Sequence, residues 1–218
     1  MDLVGRRRVS LDYQSGALNN NFYMNNEAIE KKLRDGQGVE GLLTFTNYEL
    51  DPMCARAVQL DNILRNAVNI PKLIFDEMVA ELRSLCRVRV FHTKNKVLLA
   101  ARSMQAARLI GVTTYSGEIN YGLLGTGTAS VTDADSVLDN EVKRKLYASR
   151  TQTDDSVSLD FYYSKSDTNG TYEEFGLAID GTSTVDTGLL FNRALTGGWV
   201  KTSLEAMTVS IQININAV

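Results

Sequence analysis

The chain is poor in the residues that most often carry chemistry. Its 218 residues include one histidine, one tryptophan, two cysteines and two prolines. With His92 as the single histidine, a Ser-His-Asp or Cys-His mechanism has one imidazole to run through. No Gly-x-Ser-x-Gly elbow accompanies it. A histidine-based zinc site would lack its second histidine. Cys54 and Cys86 fit no zinc spacing. Both fall in apolar, helix-like surroundings and read as buried free thiols of a reducing compartment. No run reaches the roughly 18 apolar residues of a membrane-spanning helix. The opening Met1-Asp2-Leu3-Val4-Gly5 lacks the basic-then-apolar pattern of a secretory leader. An excess of one charge is missing too: 23 Lys and Arg stand against 26 Asp and Glu, a net charge of −3. A general nucleic-acid binder usually carries a basic stripe that neutralises phosphates. Neither a nucleic-acid nor a membrane partner is expected, and no cofactor.

What is present is material for a core, since 44% of the residues are hydrophobic. Residues 1–25 are polar and Asn-rich, with Leu11, Tyr13, Phe22 and Tyr23 as sparse apolar anchors and Arg6-Arg7-Arg8 as a basic cluster. They are read as an extended arm that makes assembly contacts through those seven residues. Residues 26–111 form a mainly helical region. A short helix is expected from Asn26 to Gly36, then a strand over Leu42–Tyr48. Asp51-Pro52 opens a helix whose apolar face is Ala57, Leu60, Leu64 and Ala67. Asn69 and Pro71 open another, with the stripe Ile74, Met78, Leu82 and Leu85. A short strand over 87–91 precedes a third helix, from about Lys96 to Ile110, which ends at Gly111.

From Thr113 onward the period changes from helical to two. Val157, Leu159, Phe161 and Tyr163 alternate with polar neighbours, as do Met207, Val209, Ile211, Ile213 and Ile215. Such segments place one face in a core and one in solvent. Thr153-Asp154-Asp155, Asp167-Thr168-Asn169-Gly170, Asp180-Gly181-Thr182 and Gly197-Gly198 are expected to be the turns between strands. The fold class is therefore α+β: an N-terminal arm and helices, followed over residues 112–218 by an antiparallel β-sandwich, Ig-like or jelly-roll-like.

Motifs with chemical potential are weak one by one. Gly125-Thr126-Gly127-Thr128 has no Walker lysine and no third glycine opening a helix, so it reads as a turn leaving a strand. Asp133, Asp135, Asp139 and Glu141 crowd four carboxylates together, but the EF-hand glycine position holds Leu138. A solvated acidic loop is expected, without a metal. No pair of acids stands out for glycoside hydrolysis. Glu141, Glu174 and Arg193 lie beside apolar strand positions. A buried carboxylate needs a partner, and arginine offers a planar fork. A structural ion pair of Arg193 with Glu174 or Glu141 is expected.

In series these motifs gain meaning. Ala107-Arg108-Leu109-Ile110-Gly111 is followed by Ile119 through Gly125-Thr126-Gly127-Thr128. Then come Asp135 through Leu138-Asp139-Asn140-Glu141 and Arg144, Glu173-Glu174-Phe175-Gly176-Leu177, Leu190-Phe191-Asn192-Arg193-Ala194, and the closing alternating strand. Over about residues 95–218 this order resembles a family of tailed-bacteriophage structural proteins: tail-fibre, collar or neck-associated β-sandwich proteins. The resemblance implies a non-enzymatic structural component of a virion, at the neck or collar, tail or fibre attachment. It implies assembly in many copies with itself and with other virion proteins, after synthesis in the bacterial host cytoplasm. It brings no catalytic residues. The alternative is a receptor-binding or capsid-decorating β-sandwich module, for which Trp199 beside Gly197-Gly198 is the available loop aromatic.

Overall fold

The structure, a computed structural model, describes residues 39–215. The expected arm and the short helix before residue 37 lie outside these residues, and with them Arg6, Arg7, Arg8, Leu11, Tyr13, Phe22 and Tyr23. The described chain is β-rich α+β. Strand β1 (Val39–Glu49) is followed by helices α1 (Ala55–Arg65) and α2 (Lys72–Leu85), strand β2 (Arg87–Val97) and helix α3 (Leu99–Leu109). Seven further strands follow: β3 (Ile119–Gly125), β4 (Glu141–Leu146), β5 (Ser149–Thr153), β6 (Ser156–Tyr163), β7 (Gly170–Ile179), β8 (Leu189–Lys201) and β9 (Glu205–Ile215).

All nine strands belong to one antiparallel sheet in the order β4-β3-β7-β8-β2-β1-β9-β6-β5. Strands β1 and β2, which come before residue 112, thus lie in its middle. Only two residue pairs join β2 to β8, Lys96 with Arg193 and Val97 with Asn192. The sheet is curled, so that strands far apart in its order share one core. Phe175 of β7 meets Phe45 of β1 edge-on at 5.7 Å and Phe161 of β6 at 6.2 Å. Tyr163 of β6 donates its hydroxyl to the Gly122 carbonyl of β3 at 3.1 Å. Gly122 has a close-approach reason to be glycine, because a β-carbon there would lie 2.7 Å from the Phe161 ring.

Alternation decides which side chains enter. Leu159, Phe161, Val209, Ile211 and Ile213, expected in the core, are all buried in it. Each such side chain contributes roughly 1.5–3 kcal/mol of transfer free energy. The opposite faces of the same strands carry two smaller clusters. Tyr48, Tyr162 and Ala206 receive α1 and α2, and Leu123, Ala178 and Leu190 receive Leu98 and Leu138.

The expected apolar set is buried: Ala57, Leu60 and Leu64 on α1, and Ala67 just beyond its end. Three other expectations change. In α2 the buried residues are Phe75 and Leu82, while Ile74 is 48% and Leu85 37% exposed. Phe75 lies seven positions before Leu82, on the side that meets α1 and the sheet. Strand β2 continues to Val97 instead of ending near Phe91, because Lys94, Asn95 and Lys96 pair with Leu42, Gly41 and Glu40 of β1. Helix α3 consequently starts at Leu99. Gly197-Gly198 is not a turn between strands. Both residues have positive φ inside β8, at a register shift where Tyr172 faces Trp199 and Glu174 faces Leu195.

Candidate functional site

The sheet brings the sequence motifs together around one buried carboxylate. Glu174 on β7 and Arg193 on β8 are diagonal neighbours across the ladder, because Gly176 pairs with Arg193 and Glu174 with Leu195. Both are buried, and Arg193 Nε donates to Glu174 Oε2 at 2.7 Å. The ion pair expected of Arg193 is therefore made with Glu174. Asp135 takes the guanidinium's next nitrogen, with Nη1 to Oδ2 at 2.8 Å, and the Ala129 carbonyl takes Nη2 at 3.1 Å.

The glycine-threonine loop and the segment just before β4 supply the rest. Backbone N–H groups of Gly127 and Asn140 donate to Glu174 Oε1 at 3.1 and 2.8 Å, and that of Asp139 to Oε2 at 3.1 Å. Four donors thus surround one carboxylate. A β-carbon on Gly125 or Gly127 would collide with it. Together the two segments form an anion cradle in the physical sense that converging backbone N–H groups make one, and its anion is a side chain of the same protein. Sequence reasoning read the loop as a turn leaving a strand. Its partner comes from 47 residues away, and the one local sign was the paired small residues.

Glu141 belongs to a second network. Its carboxylate takes Arg144 in a two-pronged pair at 2.6 and 2.7 Å, with both side chains almost completely buried. Arg144 Nη1 also reaches Thr182 and Thr187, and the guanidinium lies 5.5 Å from the Tyr121 ring centre. These contacts pin the loop between β7 and β8 to β4.

The acidic stretch is largely occupied from within. Asp133 is held by Lys96 at 3.1 Å and Arg102 at 3.0 Å. The Lys96 contact leads the forces that lower its carboxyl below the ordinary value. For Asp135, burial alone would raise the carboxyl, but the Thr132 hydroxyl and Arg193 outweigh it and the net shift is downward. Asp139 accepts from the Ala129 N–H. Among the described residues no group of three or more His, Cys, Asp or Glu side chains is arranged around a metal position.

The other chemical candidates have local partners. His92 lies inside β2. Its Nδ1 is 2.9 Å from the Thr44 hydroxyl, and burial lowers its pKa. Trp199 stacks on Phe91, with ring centres 5.5 Å apart, lies under the Arg89 guanidinium, and donates Nε1 to Asn47 at 2.9 Å. Cys54 and Cys86 are free and half-buried, and burial pushes the Cys86 thiol up to about 11.

One concave feature stands apart from these networks. A cleft of about 410 Å³ opens between α3, residues 116–119 and the ends of β6 and β9. Leu159, Phe191 and Ile213 are among its apolar lining residues, together with the charged Arg108, Glu118 and Arg150. Arg150 pairs with Glu118 at 2.5 Å, and Arg108 donates to the Tyr115 carbonyl at 2.7 Å.

Comparison with protein-family models, with curated proteins and with solved structures returns no match to this chain.

Proposed function

We propose that this chain is a non-enzymatic structural component of a tailed-phage virion, working by multi-copy protein–protein assembly at the neck or collar, tail or fibre attachment. One observation carries the reading. The motifs that underlie the phage-family resemblance, from Gly125-Thr126-Gly127-Thr128 through Asp135 and Glu141 to Glu174 and Arg193, converge on buried networks within the fold. Their polar groups are spent on holding strands and loops in place, which suits a building block whose shape is its function. On this reading the curled sheet is a sandwich of Ig-like or jelly-roll-like kind. Its layers are the halves that meet through Phe45, Phe161 and Phe175.

The test has two parts. Native mass spectrometry of the full chain should give a defined oligomer, and purified particles of the phage that encodes it should contain the chain in multiple copies. A chain that stays monomeric at micromolar concentration and is absent from particles would overturn the reading.

A further inference from the structure

The two rims of the α3 cleft both expose aliphatic side chains and carry opposite charge. On the α3 rim, Leu109 is 89% and Ile110 81% exposed. The helix end that presents them is closed. Gly111 takes positive φ and donates its N–H to the Arg108 carbonyl at 3.1 Å, while Val112 donates to the Ala107 carbonyl at 3.0 Å. This double closure is a Schellman motif, which fixes the last turn. On the other rim, Ile215 at the end of β9 is 53% exposed and lines the cleft. The turn Asp154-Asp155 stands beside it, with the Asp155 carbonyl taking the Ile215 N–H at 2.9 Å.

The charges around the cleft divide into those already matched and those left over. Glu118 and Arg150 hold each other. Asp180 accepts both the N–H and the hydroxyl of Ser116. Arg108 gives Nη1 to the Tyr115 carbonyl, and among the described residues no carboxylate lies within ion-pair distance of it. Asp154 and Asp155 likewise have no cation within that distance among the described residues. The α3 rim therefore offers an unmatched cation and the β6–β9 rim two unmatched anions.

Such a surface complements itself. A half-turn about an axis through the middle of the cleft exchanges the rims, and an isologous contact is built in this way. Leu109 and Ile110 of one copy then meet Ile215 of the other, and Arg108 meets Asp154 and Asp155. Each contact occurs twice. The two Arg108 side chains stay on opposite sides of the axis, so like charges are kept apart. Exposed aliphatic side chains rimming an apolar hollow are the mark of an interaction surface.

We propose that the α3 cleft is the seat of a twofold contact between two copies of this chain. The proposal rests on the reading of the chain as a multi-copy building block and gives that reading a surface.

Sedimentation of the full chain over a range of concentrations tests it. Ile110→Asp should raise the dissociation constant of the contact on the order of tenfold to a hundredfold. Arg108→Asp should weaken it as well, and adding Asp154→Arg and Asp155→Arg to that variant should restore it. A second measurement uses a Cys54→Ser/Cys86→Ser background. Chains carrying only Ile110→Cys are mixed in equal parts with chains carrying only Ile215→Cys and oxidised. Disulfides between unlike chains should exceed the chance proportion. Self-association unchanged by Ile110→Asp, or unlike disulfides at or below the chance proportion, would overturn this surface and leave the assembly reading standing. A full chain that stays monomeric throughout would overturn both.

Discussion

Tyr162 on β6 donates its hydroxyl to Asp61 on α1 at 2.9 Å, and both side chains are at most 2% exposed. Asp61 also accepts the Lys165 N–H at 3.3 Å. One buried carboxylate therefore ties α1 to the sheet and to the loop after β6. Tyr162→Phe leaves the carboxylate with a weaker set of donors. It should cost about 1–3 kcal/mol in urea unfolding, the range for a buried polar group left short of a partner. An unchanged midpoint would mean that the hydroxyl contributes nothing.

Arg193→Ala strands the buried Glu174 carboxylate and should cost about 3–5 kcal/mol. Glu174→Ala should cost a similar amount, and the double variant less than the sum of the two, since the residues share one interaction. Arg193→Lys should recover only part of the loss. A single ammonium cannot serve Glu174, Asp135 and the Ala129 carbonyl in the geometry of a planar fork. A near-zero effect of Arg193→Ala would contradict the burial of the pair.

Gly127→Ala places a methyl group against the Glu174 carboxylate. The loop must then move away and lose the Gly127 hydrogen bond. A loss of about 1–3 kcal/mol is expected from the overpacking. In an amide-exchange experiment, Gly127, Asp139 and Asn140 should lose protection together, because all three donate to the same group.

Lys201 is 1% exposed and donates to Asn169 at 2.7 Å. Burial pushes its ammonium down to about 8, against the pull of Asp167, Asp61 and Glu205. In the unfolded chain it titrates near the ordinary 10.5. Between these values the unfolded state binds more protons than the native state, so stability rises with pH from about 8 to 10. Above that range the buried tyrosines reverse the trend. Tyr163, for example, is held well above its usual 10.0 by burial, so the unfolded chain ionises first. Chemical denaturation across this range should show the rise in the native protein and a flatter profile in Lys201→Met. Parallel profiles would remove Lys201 as the cause.

On α2, Phe75→Ala should cost about 3–5 kcal/mol, as expected for emptying a buried aromatic position. Ile74→Ala, at a half-exposed neighbour, should stay within about 1 kcal/mol. Thermal melts of the two variants decide between the observed face and one centred on Ile74.

The legible parts were those whose signal is local. The α1 face, the helix stop at Gly111, and the inward set Leu159, Phe161, Val209, Ile211 and Ile213 all follow from periodicity within one element. The central position of β1 and β2 did not, because strand order depends on pairing between distant segments. Lys94-Asn95-Lys96 illustrates the difficulty. Next to a long helical run it looks like a helix entry, yet Lys96 pairs with Glu40 on one side and Arg193 on the other. The pairing of Arg193 was anticipated as one of two options. The backbone cradle around Glu174 was not, since backbone donors leave no trace in residue identity beyond the glycines that make room.

The ends of the sheet have a consequence for behaviour at high concentration. Strands β4 and β5 stand last in the strand order, are six and five residues long, and are joined directly through Tyr147-Ala148. The Ile70 backbone takes up the Ala148 carbonyl, and Ser149 bonds to the Ile70 carbonyl. A neighbouring molecule therefore finds short, partly engaged rims instead of a long open row of amides and carbonyls. Growth by adding strand to strand, the route to fibrils, is disfavoured. Crowded copies of this chain are left to meet through side-chain surfaces, which can form contacts of fixed number and can come apart again.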